Sequence, residues 1–189
     1  MEKSRAKDIN MGNVKTVMTE DEVRRTIDRL AFQVIENHGE CEDLVLVGIQ
    51  RRGVDIAARL RTVLKEQLGK TVKFGSLDIN LYRDDWTTLD VQPMINKTDI
   101  PAGVDGKTLL LVDDVLFTGR TIRAALEAVL DYGRPSRIEL MVLVDRGHRE
   151  LPIQANYVGK QIATARTEQV DVLIEEIDGR DEVLLKHAG

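Results

Sequence analysis

The stretch that most constrains this chain runs from Leu109 to Thr121, with the sequence LLLVDDVLFTGRT. It begins with the apolar run 109–112, which is typical of a strand that is buried on both faces of a sheet. Asp113 and Asp114 follow, and a short polar loop then leads into sequence of helical character from Ile122 to Tyr132. A strand, a polar loop and a helix in this order form a ligand site at the carboxyl end of a parallel strand.

The polar loop and the acidic pair favour different parts of a ligand. Thr118, Gly119, Arg120 and Thr121 supply hydroxyls, a close backbone approach and the free N–H groups of a helix N-terminus, which together hold a phosphate. The two carboxylates would repel that phosphate, so they fit ribose hydroxyls or a cation that accompanies a polyanion. A buried strand ending in two surface aspartates would explain the acidic pair alone, but not the loop.

A second loop of the same kind follows the apolar segment Leu44–Ile49, which predicts another buried strand. Arg51, Arg52 and Gly53 come next, before a helix predicted from about Val54 to Leu68. Cationic side chains and a glycine at the end of a strand suit an anion. An ordinary charged turn between a strand and a helix has the same composition, and the preference for a site comes from the first motif.

The remaining patterns complete an α/β prediction. Alternating strands and helices in the middle of the chain predict a mainly parallel twisted sheet with helices on both faces. A β-hairpin about Asp178-Gly179, read as a type I′ turn, is expected to add an antiparallel edge to this sheet. The other predicted elements are a short strand at 14–18, a helix at 19–37 with a capping box, strands at 71–82 and 137–144, and a short segment at 158–160.

Composition limits the class of protein. The 189 residues are 42% hydrophobic and 31% charged, which fits one soluble domain, 1–189, with 1–18 as a loose lead-in. The absence of a signal-like apolar segment in 1–18 and of a membrane-length apolar run predicts a cytoplasmic protein with no membrane partner. A single cysteine, Cys41, excludes an internal disulfide. The formal net charge of −5 means that any nucleic-acid binding needs a local basic face.

Residues 109–121 resemble the binding motif for phosphoribosyl pyrophosphate (PRPP) in the type I phosphoribosyltransferases. Purine-salvage members of that group have a third acid three positions after the second carboxylate. Phe117 stands at that position here, which argues against a purine substrate. The resemblance implies the type I phosphoribosyltransferase fold. It also implies a pyrophosphate leaving group, whose developing charge Arg51, Arg52 and Gly53 would hold.

A wider resemblance covers nearly the whole chain, from about Thr19 to Lys186. Segments 77–85, 112–121 and 142–153 are similar to those of the bacterial pyrimidine operon attenuation regulators. This resemblance implies uracil phosphoribosyltransferase activity, in which uracil and PRPP give UMP and pyrophosphate. Mg²⁺ would be carried by PRPP, with no direct protein ligand. It also implies binding to pyr leader mRNA that depends on UMP or UTP, and a homodimer or higher homo-oligomer.

The resemblance assigns residues to these roles. Arg52, Asp113 and Asp114 are the catalytic candidates. The PRPP and UMP site is predicted to comprise Arg51, Arg52, Gly53, Asp113, Asp114, Val115, Leu116, Phe117, Thr118, Gly119, Arg120 and Thr121. The uracil pocket is predicted in the loop 144–153, at Val144, Asp145 and Arg146. A lid hairpin at 82–98, with Tyr82, Arg83, Asp84 and Asp85, would exclude water from the transition state. Trp86 either belongs to that lid or packs on a neighbouring subunit.

A set of basic residues is the candidate RNA-binding face. The arginines of this set on the first helix have an alternative interpretation, as an ordinary solvent-exposed helix surface. The set comprises Arg24, Arg25, Arg29, His148, Arg149, Lys160 and Arg166. Arg51, Asp28 and Gln154 depart from the residues usual in the family at these positions. Three hypotheses therefore stand: a transferase that also binds RNA, a transferase without RNA binding, and an RNA-binding nucleotide sensor with a vestigial catalytic site.

Overall fold

The structure, a computed structural model, describes residues 14–82 and 98–187. Of the predicted lid hairpin, only Tyr82 and Thr98 fall within these ranges. The predictions for Arg83, Asp84, Asp85 and Trp86 lie outside the described residues. No helix in these two ranges is long and apolar enough to cross a membrane.

Strands and helices alternate along the first two thirds of the described chain, as predicted. The strands are β1 (Val14–Met18), β2 (Leu44–Ile49), β3 (Lys73–Leu77), β4 (Thr108–Leu116), β5 (Arg137–Asp145), β6 (Tyr157–Gln161), β7 (Gln169–Leu173) and β8 (Glu182–Lys186). The helices are α1 (Glu20–His38), α2 (Arg52–Leu68), α3 (Arg120–Leu130) and the single turn α4 (Glu175–Asp178). A short 3₁₀ turn, Asn80–Tyr82, follows β3.

Five strands of the described chain form a wholly parallel sheet in the order β3-β2-β4-β5-β6, which confirms the predicted sheet. Strand β4 lies at its centre and is paired on both sides, so its apolar residues are buried on both faces. Leu110 and Val112 face a core formed with α1 and α2, whereas Leu109 and Leu111 face a second core formed with α3. Alternate residues of a strand point to opposite faces, which is why one apolar run serves both cores.

Two strands of the described chain differ from the prediction by more than one residue at an end. Strand β4 does not end before the acidic pair but continues through Asp113 and Asp114 to Leu116. The predicted strand 71–82 is shorter, because only Lys73–Leu77 pairs with β2. In both places the apolar pattern located the strand, but the length of the ladder depends on the neighbouring strand.

The predicted position of the C-terminal hairpin is wrong. Strands β7 and β8 do pair antiparallel, but they form a separate three-stranded sheet with β1, in the order β1-β8-β7, and add no edge to the parallel sheet. The predicted type I′ turn at Asp178-Gly179 is the end of α4, where Gly179 adopts the left-handed conformation. Pairing between the two ends of the chain is a long-range contact, which local patterns do not reveal.

Arg59 joins the small sheet to the rest of the fold. Its guanidinium on α2 binds Glu176 of α4 at 2.6 and 2.9 Å and Asp181, which follows α4, at 2.5 and 2.8 Å. The Asp181 side chain is only 7% exposed. A buried carboxylate needs a cation, so loss of Arg59 would leave it unpaired.

We expect Arg59→Met to lower the free energy of unfolding by about 2–3 kcal/mol, because the apolar stem is kept while Asp181 loses its cation. Urea unfolding at neutral pH measures the change, and Lys65→Met, at an exposed position of the same helix, is the control. Equal stability of the two variants would contradict the role given to Arg59.

Candidate functional site

The carboxyl ends of β2, β4 and β5 meet at one edge of the sheet, because the three strands are parallel neighbours. In the pairing register, Gly48 lies beside Val112, and Leu116 lies beside Asp145. The three loops that follow these strands are therefore adjacent. The structure brings together three loops that are separated by up to a hundred residues in sequence. They are the two candidate anion-binding loops, 51–53 and 118–121, and the loop of the predicted uracil pocket.

Asp113 and Asp114 lie near the end of β4, Asp113 buried and Asp114 half-buried. A carboxylate oxygen of Asp113 accepts the Asp114 N–H at 3.0 Å, and one of Asp114 accepts the Val115 N–H at 2.8 Å. Burial raises the pKa of Asp113 well above its usual range, and the charge of Asp114 raises it further. Burial also raises the pKa of Asp114, although nearby donors and Arg52 oppose the rise. The pair therefore favours ligands that donate hydrogen bonds or carry positive charge.

The loop after β2 lies directly against β4. A Cβ atom on Gly53 would lie 2.4 Å from the Val112 carbonyl oxygen and 3.1 Å from the Asp113 Cα, so only glycine allows this approach. The peptide bond between Gln50 and Arg51 is cis. Arg51 is exposed and Arg52 is half-buried at the start of α2. The glycine contact thus brings a cationic loop next to the acidic pair.

The loop after β4 leads into the N-terminus of α3. Gly119 has a φ of 92° and immediately precedes the helix, and the first turn of α3 contains no acidic residue. The Arg120 N–H lies 3.4 Å from the Thr118 hydroxyl, while the Thr118 carbonyl accepts N–H groups of Glu150 and Leu151 at 2.9 and 3.3 Å. The N–H groups at a helix N-terminus and two hydroxyls form an arrangement that suits an anion.

The loop after β5 packs against the loop after β4, which contains the candidate phosphate-binding residues 118–121. Arg146 donates its backbone N–H to the Leu116 carbonyl at 3.1 Å, and its guanidinium lies 4.1 Å from the centre of the Phe117 ring. Its Nη2 donates to the Ala165 carbonyl at 3.0 Å. Burial lowers the pKa of Arg146. Val144 and Asp145, the other predicted pocket residues, are also buried.

Arg149, predicted in the RNA-binding set, binds the backbone of the loops after β4 and β5 and so holds them together. Its guanidinium donates to the carbonyls of Phe117 and Ile153, both at 3.0 Å, and to that of Gly147 at 3.1 Å. It also binds the Asp145 carboxylate at 2.5 Å. Sequence reasoning missed this role, since an exposed polar loop gives no sign that one side chain folds back over the carbonyls.

Four other members of the basic set lie in or contact the segment 159–166. Arg29 donates to the Gly159 carbonyl at 2.5 Å, and Lys160 donates to the Val17 carbonyl at 2.8 Å. His148 donates to the Thr164 carbonyl at 2.6 Å, and Arg166 pairs with Glu150 at 3.0 Å. On α1, Arg24 pairs with Asp21 at 2.9 Å, and Arg25 is exposed.

Glu150 connects segment 159–166 to the candidate phosphate-binding loop 118–121. One carboxylate oxygen accepts a hydrogen bond from Arg166 at 3.0 Å, and the other accepts one from Arg120 at 2.8 Å. The backbone N–H of Glu150 is also bonded to the Thr118 carbonyl. The basic segment and the start of α3 therefore share one carboxylate.

Comparison with known proteins places this geometry in a family. The family described as phosphoribosyl transferase domain matches residues 14–174. The protein named Bifunctional protein PyrR from Chloroflexus aurantiacus is 51% identical over 93% of this chain and 96% of its own. Its namesake from Elusimicrobium minutum is 53% identical, covering 90% and 96%. That from Thermus thermophilus is 52% identical, covering 89% and 93%.

Solved structures share the fold at much lower identity. The hypoxanthine phosphoribosyltransferase of Trypanosoma cruzi is 19% identical, with a TM-score of 0.68 over 93% of this chain and 97% of that chain. A hypoxanthine-guanine phosphoribosyltransferase from Bacillus anthracis is 18% identical, with a TM-score of 0.67 over 92% and 97%. These similarities establish the fold alone.

The raised pKa of Asp113 predicts a measurable instability. The folded state binds this proton more tightly than the unfolded chain does, so folding is favoured at low pH and opposed as the pH rises through the raised value. We expect Asp113→Asn, which keeps the shape and the acceptor oxygen, to raise the free energy of unfolding by about 1 kcal/mol at neutral pH.

Urea unfolding at about pH 4 and about pH 7 tests this, because an ordinary aspartate titrates near the lower value. The gain should shrink at the lower pH. Asp43→Asn, an exposed aspartate at the opposite edge of the sheet, is the control. A variant less stable than the parent at neutral pH would contradict the assignment.

Proposed function

The chain belongs to the phosphoribosyl transferase family, among the proteins named Bifunctional protein PyrR, and we propose that it converts uracil and PRPP to UMP and pyrophosphate. A bond forms between N1 of uracil and C1′ of the ribose while the bond from C1′ to pyrophosphate breaks, and the N1 proton is released. The observation that carries the proposal is the acidic pair of buried Asp113 and half-buried Asp114 beside the loop that opens α3. We also propose that uridine nucleotides control binding to a pyr leader mRNA.

Each loop has a role in this reaction. The carboxylates of Asp113 and Asp114 accept hydrogen bonds from the ribose hydroxyls. Residues 118–121 hold the 5′-phosphate through backbone N–H groups and hydroxyls. Arg51, Arg52 and Gly53 hold the pyrophosphate, whose negative charge develops as the bond to C1′ breaks. Donors that are already in place for this charge lower the barrier, since they need no reorganisation during the reaction.

Mg²⁺ fits the acidic pair as a companion of PRPP. The raised pKa of both carboxyls indicates that nearby positive charge would stabilise their ionised forms. When bound, the ion would neutralise charge on the pyrophosphate. The residues that would lie near it are Asp113 and Asp114, and the pyrophosphate oxygens would be its principal ligands, as is usual for Mg²⁺ in phosphate-transfer sites.

The base site supports a pyrimidine. The loop after β5 places Arg146 over Phe117, the residue that stands where purine enzymes have a third acid. Uracil does not need an acid that manages a purine N7 proton. Val144, Asp145 and Arg146 are assigned to the uracil pocket, whose flat base would bind near the backbone of this loop. We also propose that the protein acts in the cytoplasm.

Uracil-dependent release of pyrophosphate from PRPP with Mg²⁺ tests the transfer. We expect the parent to form UMP and to leave hypoxanthine unchanged. The double variant Asp113→Asn, Asp114→Asn should lose turnover while remaining folded, because neutral amides bind the ribose hydroxyls and the cation more weakly. Asp43→Asn again serves as the matched control. Unchanged turnover in the double variant would refute the role of the pair, and faster transfer to hypoxanthine would refute the base.

Contacts of the basic set support the RNA part of the proposal. Segment 159–166 contains Lys160 and Arg166 and is contacted by Arg29 and His148, so basic side chains lie along one continuous piece of chain. Glu150 joins this segment to Arg120, next to the proposed phosphate site. A nucleotide phosphate near Arg120 would change the surroundings of Glu150, giving the ligand two states to distinguish. A homodimer or higher homo-oligomer belongs to the same proposal.

RNA binding should weaken steeply as salt rises and should strengthen with UMP. Each phosphate contact releases counterions, so Arg25→Ala and Arg166→Ala should each reduce the salt slope by about one and leave uracil transfer intact. Filter binding with a pyr leader hairpin measures this, with Lys65→Ala as the control.

Asp28 and Gln154 supply the opposite test of the RNA face. Asp28→Thr with Gln154→Arg removes one negative charge and adds one positive, so it should tighten binding. No binding by the parent at low salt, and no gain in this double variant, would leave a uracil phosphoribosyltransferase without RNA binding as the function.

A further inference from the structure

Asp178 holds the arginine to which the pyrophosphate is assigned. Arg52 donates from Nε at 3.0 Å and from Nη2 at 2.9 Å to the two carboxylate oxygens of Asp178. The two residues are 126 positions apart and lie on α2 and α4. A bidentate pair of this kind fixes the plane of the guanidinium as well as its position.

The orientation of this pair leaves part of the guanidinium for another ligand. Asp178 takes the edge formed by Nε and Nη2, and the two N–H donors of Nη1 lie outside the pair. Arg52 also lies in the field of Asp114, whose charge raises the pKa of the arginine alongside the larger effect of the Asp178 hydrogen bonds. The guanidinium thus binds Asp178 directly and also interacts with the charge of Asp114.

Asp178 is itself held by contacts that do not involve Arg52. Its Oδ2 accepts the backbone N–H of Ile174 at 2.9 Å, which closes the turn of α4. Glu176, two residues earlier, binds Arg59 on α2, and Arg59 also binds Asp181. Arg52 and Arg59 are seven residues apart, so they lie on one face of α2, two turns apart. The single turn α4 is thereby fixed over the first turns of α2.

We propose that Asp178 is a positioning residue for phosphoribosyl transfer: it orients Arg52 so that the Nη1 edge meets the pyrophosphate group of PRPP. The inference rests on the proposed transferase function for its kinetic part. An untethered arginine would lose rotational freedom when the diphosphate binds, and the pair with Asp178 removes most of that cost beforehand. The small sheet, formed by both ends of the described chain, thus completes a site that belongs to the parallel sheet.

The test is Asp178→Asn, which keeps the shape but loses the charge. We expect its dissociation constant for magnesium pyrophosphate, measured by calorimetry, to rise about tenfold, the effect of immobilising one long side chain. kcat/KM for PRPP should fall by a similar factor, while KM for uracil stays unchanged. Glu175→Gln is the matched control, since it removes one charge from an exposed side chain of the same turn. It should leave both constants unchanged.

A double-mutant cycle separates positioning from a general structural effect. Asp178→Asn should have no further effect on pyrophosphate binding in an Arg52→Ala background, because Asp178 acts through that guanidinium alone. Equal losses in both backgrounds would overturn the inference. So would unchanged pyrophosphate binding in Asp178→Asn. Tighter binding would also overturn it, since Asp178 would then compete with the ligand for Arg52.

Pyrophosphate binding is measured without a base, so it distinguishes this inference from the proposed function. Failure of the parent to make UMP, together with weakened pyrophosphate binding in Asp178→Asn, would refute uracil transfer but support the role of Asp178. Normal UMP formation, with no effect of Asp178→Asn on pyrophosphate binding or on kcat/KM for PRPP, would support uracil transfer but refute the role of Asp178.

Discussion

The placement of two adjacent carboxylates near the end of one central strand is the constraint on which the rest of the site depends. Strand β4 pairs with β2 as far as Val112 and with β5 on its other side, where Asp113 lies opposite Val142. Asp113 is buried there and Asp114 is half-buried. Burial of a charge opposes folding, which appears here as a raised pKa for both groups. A ligand with hydroxyls and a cation would offset that cost, and the surrounding loops are placed to supply its remaining contacts.

The loops reach this strand end through close backbone contacts and half-buried arginines. Gly53 allows the start of α2 to touch the backbone of β4, and Arg149 ties the loop after β5 to the loop after β4 through carbonyl oxygens. Arg59 and Arg52 then connect α2 to α4. The turn α4 lies between two strands of the separate sheet, so an arginine assigned to the site contacts that sheet's connection, although none of its strands joins the parallel sheet.

Sequence patterns predicted the parts of this architecture that are local. The apolar run before Asp113 and the loop that follows predicted the strand, the turn and the helix of the central motif, and the parallel sheet was confirmed. Contacts between distant segments were not predictable in the same way. Asp178 was read as part of a hairpin turn because Asp-Gly has that local preference, and its partner Arg52 is far away in sequence. Arg149 was assigned to RNA because an arginine in a polar loop shows nothing of the carbonyls it binds.

The most direct test of the account is a crystal structure of the chain with UMP bound. We expect the ribose hydroxyls on the carboxylates of Asp113 and Asp114, the 5′-phosphate on the backbone N–H groups of residues 118–121, and the uracil beside the loop that follows β5. A nucleotide bound at another edge of the sheet, or one whose ribose makes no contact with the acidic pair, would contradict it.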